Sequence, residues 1–199
     1  MKDVDAQFDS SKVSVMMEEG VYPAHVKWDR YTEDKVTKVG VADIFGLKYK
    51  IAQEADKMTQ KCYQRGENGN FRIENNKRVP TIVDGKHLEI SCEQFVGREL
   101  YANGLFLFKG AEGSGRNKQY TEFLDAIGVE LDEIEVEGHK VKKLMAIEEK
   151  DVVGKAVFVR VAYKENGKTH TFYPTVVDVL KWDNGTNLSE DEMADDLPF

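Results

Sequence analysis

Lys155-Ala156-Val157-Phe158-Val159-Arg160-Val161-Ala162-Tyr163 is the stretch on which the fold turns. Val157, Val159, Val161 and Tyr163 fall on one side of a period-two alternation, and Phe158 and Arg160 fall on the other. Alternation of that kind makes a strand with one buried face. Asn166-Gly167 follows, a pair that tolerates the left-handed backbone of a tight hairpin turn. The chain therefore doubles back, from Thr169 towards Trp182. Pro174 lies inside the return strand and has no N–H for a ladder, which predicts an edge position or a bulge.

Two earlier segments alternate in the same way. Between Val21 and Tyr31, Tyr22, Ala24, Val26 and Trp28 oppose His25, Lys27 and Asp29. Between Val41 and Ile51, Phe45, Leu47, Tyr49 and Ile51 point one way while Lys48 and Lys50 point the other. His87 to Phe95 and Arg98 to Phe108 also read as strand-like. The clearest helix follows them. Asn117 is its N-cap, Tyr120, Phe123, Leu124 and Ile127 recur at i, i+3, i+4 and i+7, and Gly128 is the stop. The acidic stretch 129–137 and the segment to Glu149 form a connector, with a strand pair around Glu137-Gly138-His139.

The expected fold is mainly β: an OB-like Greek-key barrel with one mid-chain helix. The number of strands alone equally suits a β-sandwich. Residues 52–95 read as a basic insertion on the sheet, with Ala52 to Tyr63 as a helix, Gly66 to Asn70 as a loop, and short strands beginning at Phe71 and Val79. Residues 1–182 are expected to form one domain and residues 183–199 a disordered acidic tail.

The formal net charge is −8. Five of those charges belong to Glu190, Asp191, Glu192, Asp195 and Asp196, so the body is only mildly acidic. Its charge is segregated, however. Lys57, Lys61, Arg65, Arg72, Lys77 and Arg78 face only Glu67 and Glu74 within residues 57–78. Local field, not net charge, is what a polyanion meets. Cys62 and Cys92 lack any Cys-x-x-Cys spacing and read as reduced thiols. No apolar run reaches the length of a membrane span, and the first residues do not read as a secretory leader. His25, His87, His139 and His170 show no metal-ligand spacing, and no Ser-His-Asp or paired-carboxylate pattern appears, so neither a cofactor nor catalysis is expected. Gly110 and Gly115 have P-loop spacing, but Arg116 and Asn117 stand where a Lys and a hydroxyl are needed.

Asp195-Asp196-Leu197-Pro198-Phe199 closes the chain. Pro198 biases Leu197 towards an extended backbone, so one aliphatic, one aromatic and a carboxylate sit on a partly preorganised acidic tether. This ending resembles the tip of bacterial single-stranded DNA-binding proteins, an Asp-rich run closing in Ile-Pro-Phe, with Leu197 in place of the usual Ile. Acidic tails of phage single-stranded DNA-binding proteins are similar. In those families the tail recruits replication and recombination enzymes, and the resemblance implies that role for Asp195, Asp196, Leu197, Pro198 and Phe199.

The body carries a second resemblance. Gly97-Arg98-Glu99-Leu100-Tyr101, then Thr121-Glu122-Phe123-Leu124-Asp125-Ala126-Ile127-Gly128, then Val153-Gly154-Lys155-Ala156-Val157-Phe158-Val159-Arg160-Val161 is similar, in order, to phage OB-fold single-stranded DNA-binding proteins. That implies a protein of the bacterial host cytoplasm acting in DNA replication, recombination or repair, with a homo-oligomer open. Single-strand binding needs cations along the backbone path and flat side chains for bases. The candidates are Lys48, Lys50, Tyr63, Arg65, Phe71, Arg72, Lys77, Arg78, Arg98, Tyr101, Arg116, Lys118, Phe158 and Arg160. Two other readings stand beside this one. One is a β-domain adaptor or decoy that does not bind DNA and whose tail engages the host's tail-binding enzymes. The other is a mediator that anneals strands.

Overall fold

The computed structural model describes residues 16–110, 115–188 and 193. In chain order the strands are β1 (Gly20–Thr37), β2 (Gly40–Ile51), β3 (Thr59–Lys61), β4 (Ile73–Glu74), β5 (Lys77–Arg78), β6 (Ile82–Val83), β7 (Lys86–His87), β8 (Glu89–Ser91), β9 (Glu99–Tyr101) and β10 (Leu105–Phe108). Helix α1 (Lys118–Ala126) follows, then β11 (Glu133–Val136), β12 (His139–Lys142), α2 (Glu149–Val152), β13 (Ala156–Glu165) and β14 (Phe172–Lys181).

One curved sheet forms the body. β1 pairs antiparallel with both β2 and β13, β2 pairs with β9 and β10, and β13 pairs with β14. A parallel bridge between Ala102 and Val176 brings β14 back beside β9, where the Thr175 hydroxyl donates to the Tyr101 carbonyl at 2.9 Å. The six strands thus make one sheet that curls back on itself rather than two sheets stacked as a sandwich. Inside lie Tyr22, Ala24, Val26, Phe45, Leu47, Tyr49, Ile51, Val157, Val159, Val161 and Val176, the inward halves of the alternations. Each large side chain buried here contributes on the order of 1.5–3 kcal/mol. Helix α1 packs against β10 and β14, with Tyr120 5.7 Å from Phe45. The Tyr120 hydroxyl donates to the Met145 carbonyl and accepts from the Ile147 N–H, which ties the long connector to the helix.

Local expectations met several outcomes. Gly128, at φ +78°, turns the chain out of α1 as expected. Asn117 stands at the N-cap position, but its side chain clamps the end of β10 instead. Its Oδ1 accepts from Phe108 N and its Nδ2 donates to Phe108 O. Pro174 sits opposite Tyr163 in β14, the strand at the end of the paired path, beside a register shift between Arg160 and Val161. The final hairpin is longer than a two-residue turn. Residues 166–171 form it, and His170, not Gly167, takes the left-handed position.

The segment Ala52 to Tyr63 is not a helix. A short 3₁₀ turn, Gln53–Lys57, leads into β3. Only Ala55 of the turn is buried, and by Met58 the backbone is already extended, at φ −98° and ψ 152°. The rest of 52–95 is an arm of small hairpins: β3 with β8, β4 with β5 and β6 with β7. Asn75-Asn76 and Asp84-Gly85 each place two successive residues at positive φ, the backbone that two-residue hairpins require. His87 to Phe95 is accordingly split into β7, β8 and a 3₁₀ turn.

The body also extends past 182. The Leu188 N–H donates to the Gly154 carbonyl at 2.9 Å, Asn187 Oδ1 accepts from Ala156 N, and His25 Nε2 meets the Thr186 carbonyl at 2.8 Å. A Cβ at Gly154 would come within 1.8 Å of the Leu188 oxygen, so only glycine permits this seat. Residues 183–188 thus belong to the barrel rather than to the tail. Beyond Leu188 only Met193 is described, and it is buried; Asp195, Asp196, Leu197, Pro198 and Phe199 lie outside the described residues.

Candidate nucleic-acid interface

The outward face of β1, β2, β9 and β10 gathers cations and flat rings. Cross-strand register puts Lys27, Lys48 and Tyr101 in one row and His25, Lys50 and Glu99 in the next. Leu47, Tyr49 and Ile51 are buried, so the intervening Lys48 and Lys50 point out of the barrel. Lys48 Nζ lies 4.9 Å from the Tyr101 ring centroid, a cation–π distance. Farther along β2, Phe106 stands opposite Ile44 and Phe108 opposite Ala42. Their rings are nearly parallel, 13° apart in plane with centroids 5.9 Å apart.

Small residues keep the floor of this face low. A Cβ at Gly46 would meet Arg30 Cγ at 2.7 Å, so the arginine stem lies across the bare backbone with its side chain 78% exposed. A Cβ at Gly104 would meet Ile44 Cγ2 at 2.8 Å. Arg116 donates to the Val39 carbonyl, and both its guanidinium and the Phe108 ring border Gly40. The face therefore runs from Arg116 and Phe108, through Phe106 and Arg30, to Lys48, Tyr101, Lys27 and Lys50.

Two carboxylates moderate it. Asp29 lies 2.9 Å from Lys48 Nζ, and Glu99 lies 2.5 Å from Lys27 Nζ and 3.8 Å from Lys48 Nζ. The Asp29 hydrogen bond in particular raises the Lys48 pKa, outweighing the burial that opposes it, so Lys48 stays charged at any working pH.

The other expected residues divide. Arg98 is exposed just before β9, and its backbone carbonyl accepts from Ile51 N at the lower end of the same face. Lys118 is on α1, 3.5 Å from Glu122. Arg72 pairs with Glu74 at 2.7 Å, and Lys77 is exposed at the hairpin of the arm. Neither belongs to the sheet face. Phe158 and Arg160 lie across β1 on β13. There Phe158 is covered by Trp182, with ring centroids 5.2 Å apart, and Arg160 reaches Asp178 at 3.5 Å.

Tyr63, Arg65, Phe71 and Arg78 make a different structure, a clasp that holds the arm on the barrel. The Arg65 guanidinium is sandwiched, 3.8 Å from the Phe71 ring centroid and 3.9 Å from that of Tyr163. It pairs with the buried Glu18 at 2.7 Å and donates to the Gly69 carbonyl. Arg78 covers Phe71 at 3.8 Å and pairs with Glu19. Tyr63 meets Phe71 and His87 edge-on. With both faces of the guanidinium covered and its charge matched, Arg65 has no room for a phosphate. The interleaving of basic and aromatic residues in this stretch reflects internal stacking.

Phe106, Phe108, Arg30 and Lys27 were absent from the sequence candidates. Leu105-Phe106-Leu107-Phe108 holds the missed signal: the leucines are buried and the phenylalanines face out. Among the described residues no group of three metal-ligating side chains is gathered, and no helix is long and apolar enough to cross a membrane. No family model matches the chain, and no curated protein matches it.

Proposed function

We propose that this protein binds single-stranded DNA without sequence preference across the outer face of β1, β2, β9 and β10. The observation that carries the reading is the convergence of Tyr101, Phe106 and Phe108 with Lys27, Arg30, Lys48, Lys50 and Arg116 on one side of an OB-type barrel. Aromatic rings stack bases of any identity, and cations follow the backbone. The resemblance of the chain to phage single-stranded DNA-binding proteins supports a role in replication, recombination or repair inside a bacterial host. On the same ground, Asp195, Asp196, Leu197, Pro198 and Phe199 recruit partner enzymes.

A titration of labelled oligo-dT at several salt concentrations tests this. The reading expects binding that weakens steeply between roughly 50 and 200 mM salt and is similar for mixed sequences. The adaptor reading draws on Asp29 and Glu99, which sit among the lysines of the face. It expects no binding even in dilute buffer. The acidic tail also competes with DNA for the face, so removing residues 189–199 raises DNA affinity and abolishes capture of partner enzymes. An affinity that falls or stays the same on truncation counts against competition between tail and DNA.

A further inference from the structure

The β1–β2 hairpin runs on past the end of the candidate face, and its tip carries three valines. The last β10 partner on β2 is Ala42, opposite Phe108, and the hairpin continues through Val36–Val41 to the Thr37–Gly40 turn. Val36 is 76% exposed, Val39 51% and Val41 39%. Lys35 precedes them and Lys38 lies between Val36 and Val39, both exposed. Lys35 pairs with Ala42 and so shares the outward side with Phe108, while Val36 and Val41, paired with each other one residue on, take the opposite side of the hairpin.

This tip is braced from three directions. The Thr37 hydroxyl donates to the Gly40 carbonyl and accepts from Val39 N. Arg116 holds the Val39 carbonyl, and Lys109 N donates to the Val41 carbonyl at 3.0 Å. The Lys109 ammonium bridges Asp34 at 2.6 Å and Asp43 at 3.0 Å. A surface valine pair on a loose turn needs no explanation. A stiffened hairpin that holds three valines in water beside two lysines, past the end of a binding face, calls for one.

We propose that this tip is a wedge for the junction between single-stranded and double-stranded DNA. Val36 and Val39 contact the terminal base pair, while Lys35 and Lys38 take phosphates of the two strands. The strand that is freed runs on from Lys35 to Phe108 and Phe106. Apolar side chains that enter a base step unstack it at a cost of a few kcal/mol. Here stacking of the released bases along the face offsets that cost. The proposal rests on the single-strand reading of the face and adds an activity to it, the opening of duplex ends.

The test uses the full chain and a duplex bearing an oligo-dT tail, with 2-aminopurine in the terminal pair. The wild type should raise the 2-aminopurine fluorescence several-fold on the tailed duplex. V36S/V39S should bind plain oligo-dT within about twofold of wild type yet leave the fluorescence quenched. Wild-type protein that binds oligo-dT without brightening the junction overturns the wedge. So does a double variant that brightens it as well as wild type, or one that loses oligo-dT affinity, since the tip would then belong to the face itself. A double variant that changes oligomeric state also overturns it, because the valines would then be a contact between copies. Wild type that fails to bind oligo-dT in dilute buffer sinks the reading of the face, and that outcome is seen before any junction is added.

Discussion

Truncating Tyr101 separates stacking from charge on the proposed face. The ring is 57% exposed in the free protein, so Tyr101→Ala removes little packing and should leave stability nearly unchanged. If a base stacks on it, the loss is about 1–3 kcal/mol, or roughly 5- to 150-fold in Kd. The salt dependence should stay the same, because no ion pair with phosphate is removed. Lys48→Met should behave in the opposite way. It deletes one phosphate contact, which lowers the slope of log K against log salt by about 0.7 for a single strand. Its cost in affinity is smaller, because Lys48 must first leave Asp29 at 2.9 Å and Glu99 at 3.8 Å. Fluorescence anisotropy with labelled oligo-dT at two salt concentrations measures both quantities. A Tyr101→Ala protein that binds within about twofold of wild type at both concentrations refutes the stacking role and, with it, the orientation of the face.

Other expectations follow from the same geometry. Glu99→Gln frees Lys27 and Lys48 from their carboxylate and should tighten oligo-dT binding several-fold at low salt, with the gain vanishing at high salt; equal affinity at low salt contradicts it. Arg65→Met leaves Glu18 buried and unpaired and should lower stability by about 3–5 kcal/mol in urea unfolding, whereas a phosphate-contacting Arg65 would lower affinity without lowering stability. Burial opposes ionisation of Asp43, but the Asp34 N–H and the Lys109 ammonium hold its pKa below the usual carboxylate range. A depressed folded-state pKa contributes stability above the unfolded value of about 3.9, and that stability is lost as pH falls through the folded value. Asp43→Asn should therefore reduce stability at neutral pH and flatten the acid side of a pH–stability profile; a profile identical to wild type excludes the brace.

Much of the barrel was legible from local pattern. Alternation along Val157 to Tyr163, Tyr22 to Trp28 and Phe45 to Ile51 is a property of each strand alone, and the inward residues named from it are in the core, except that Trp28 packs against the core half-buried and Tyr163 lies outside it. The helix from Lys118 was equally plain, because 3.6-residue periodicity and Gly128 are also local. The same pattern set Lys48 and Lys50 on an outward face. The acidic ending, with its ordered Asp-Asp-Leu-Pro-Phe, was a sequence observation only.

What the tertiary structure decided was company. Lys48 meets Tyr101 across two strands more than fifty residues apart in the chain, through a register that turn lengths and packing set. Arg65 and Phe71 looked like a nucleic-acid patch because they interleave in sequence, yet Glu18 and Tyr163 enclose them from distant strands. Leu105-Phe106-Leu107-Phe108 is apolar at every position. Hydrophobicity alone does not say which side of a strand faces the interior, and it is the pairing of β10 with β2 that turns Leu105 and Leu107 inward and leaves the two rings on the outer face.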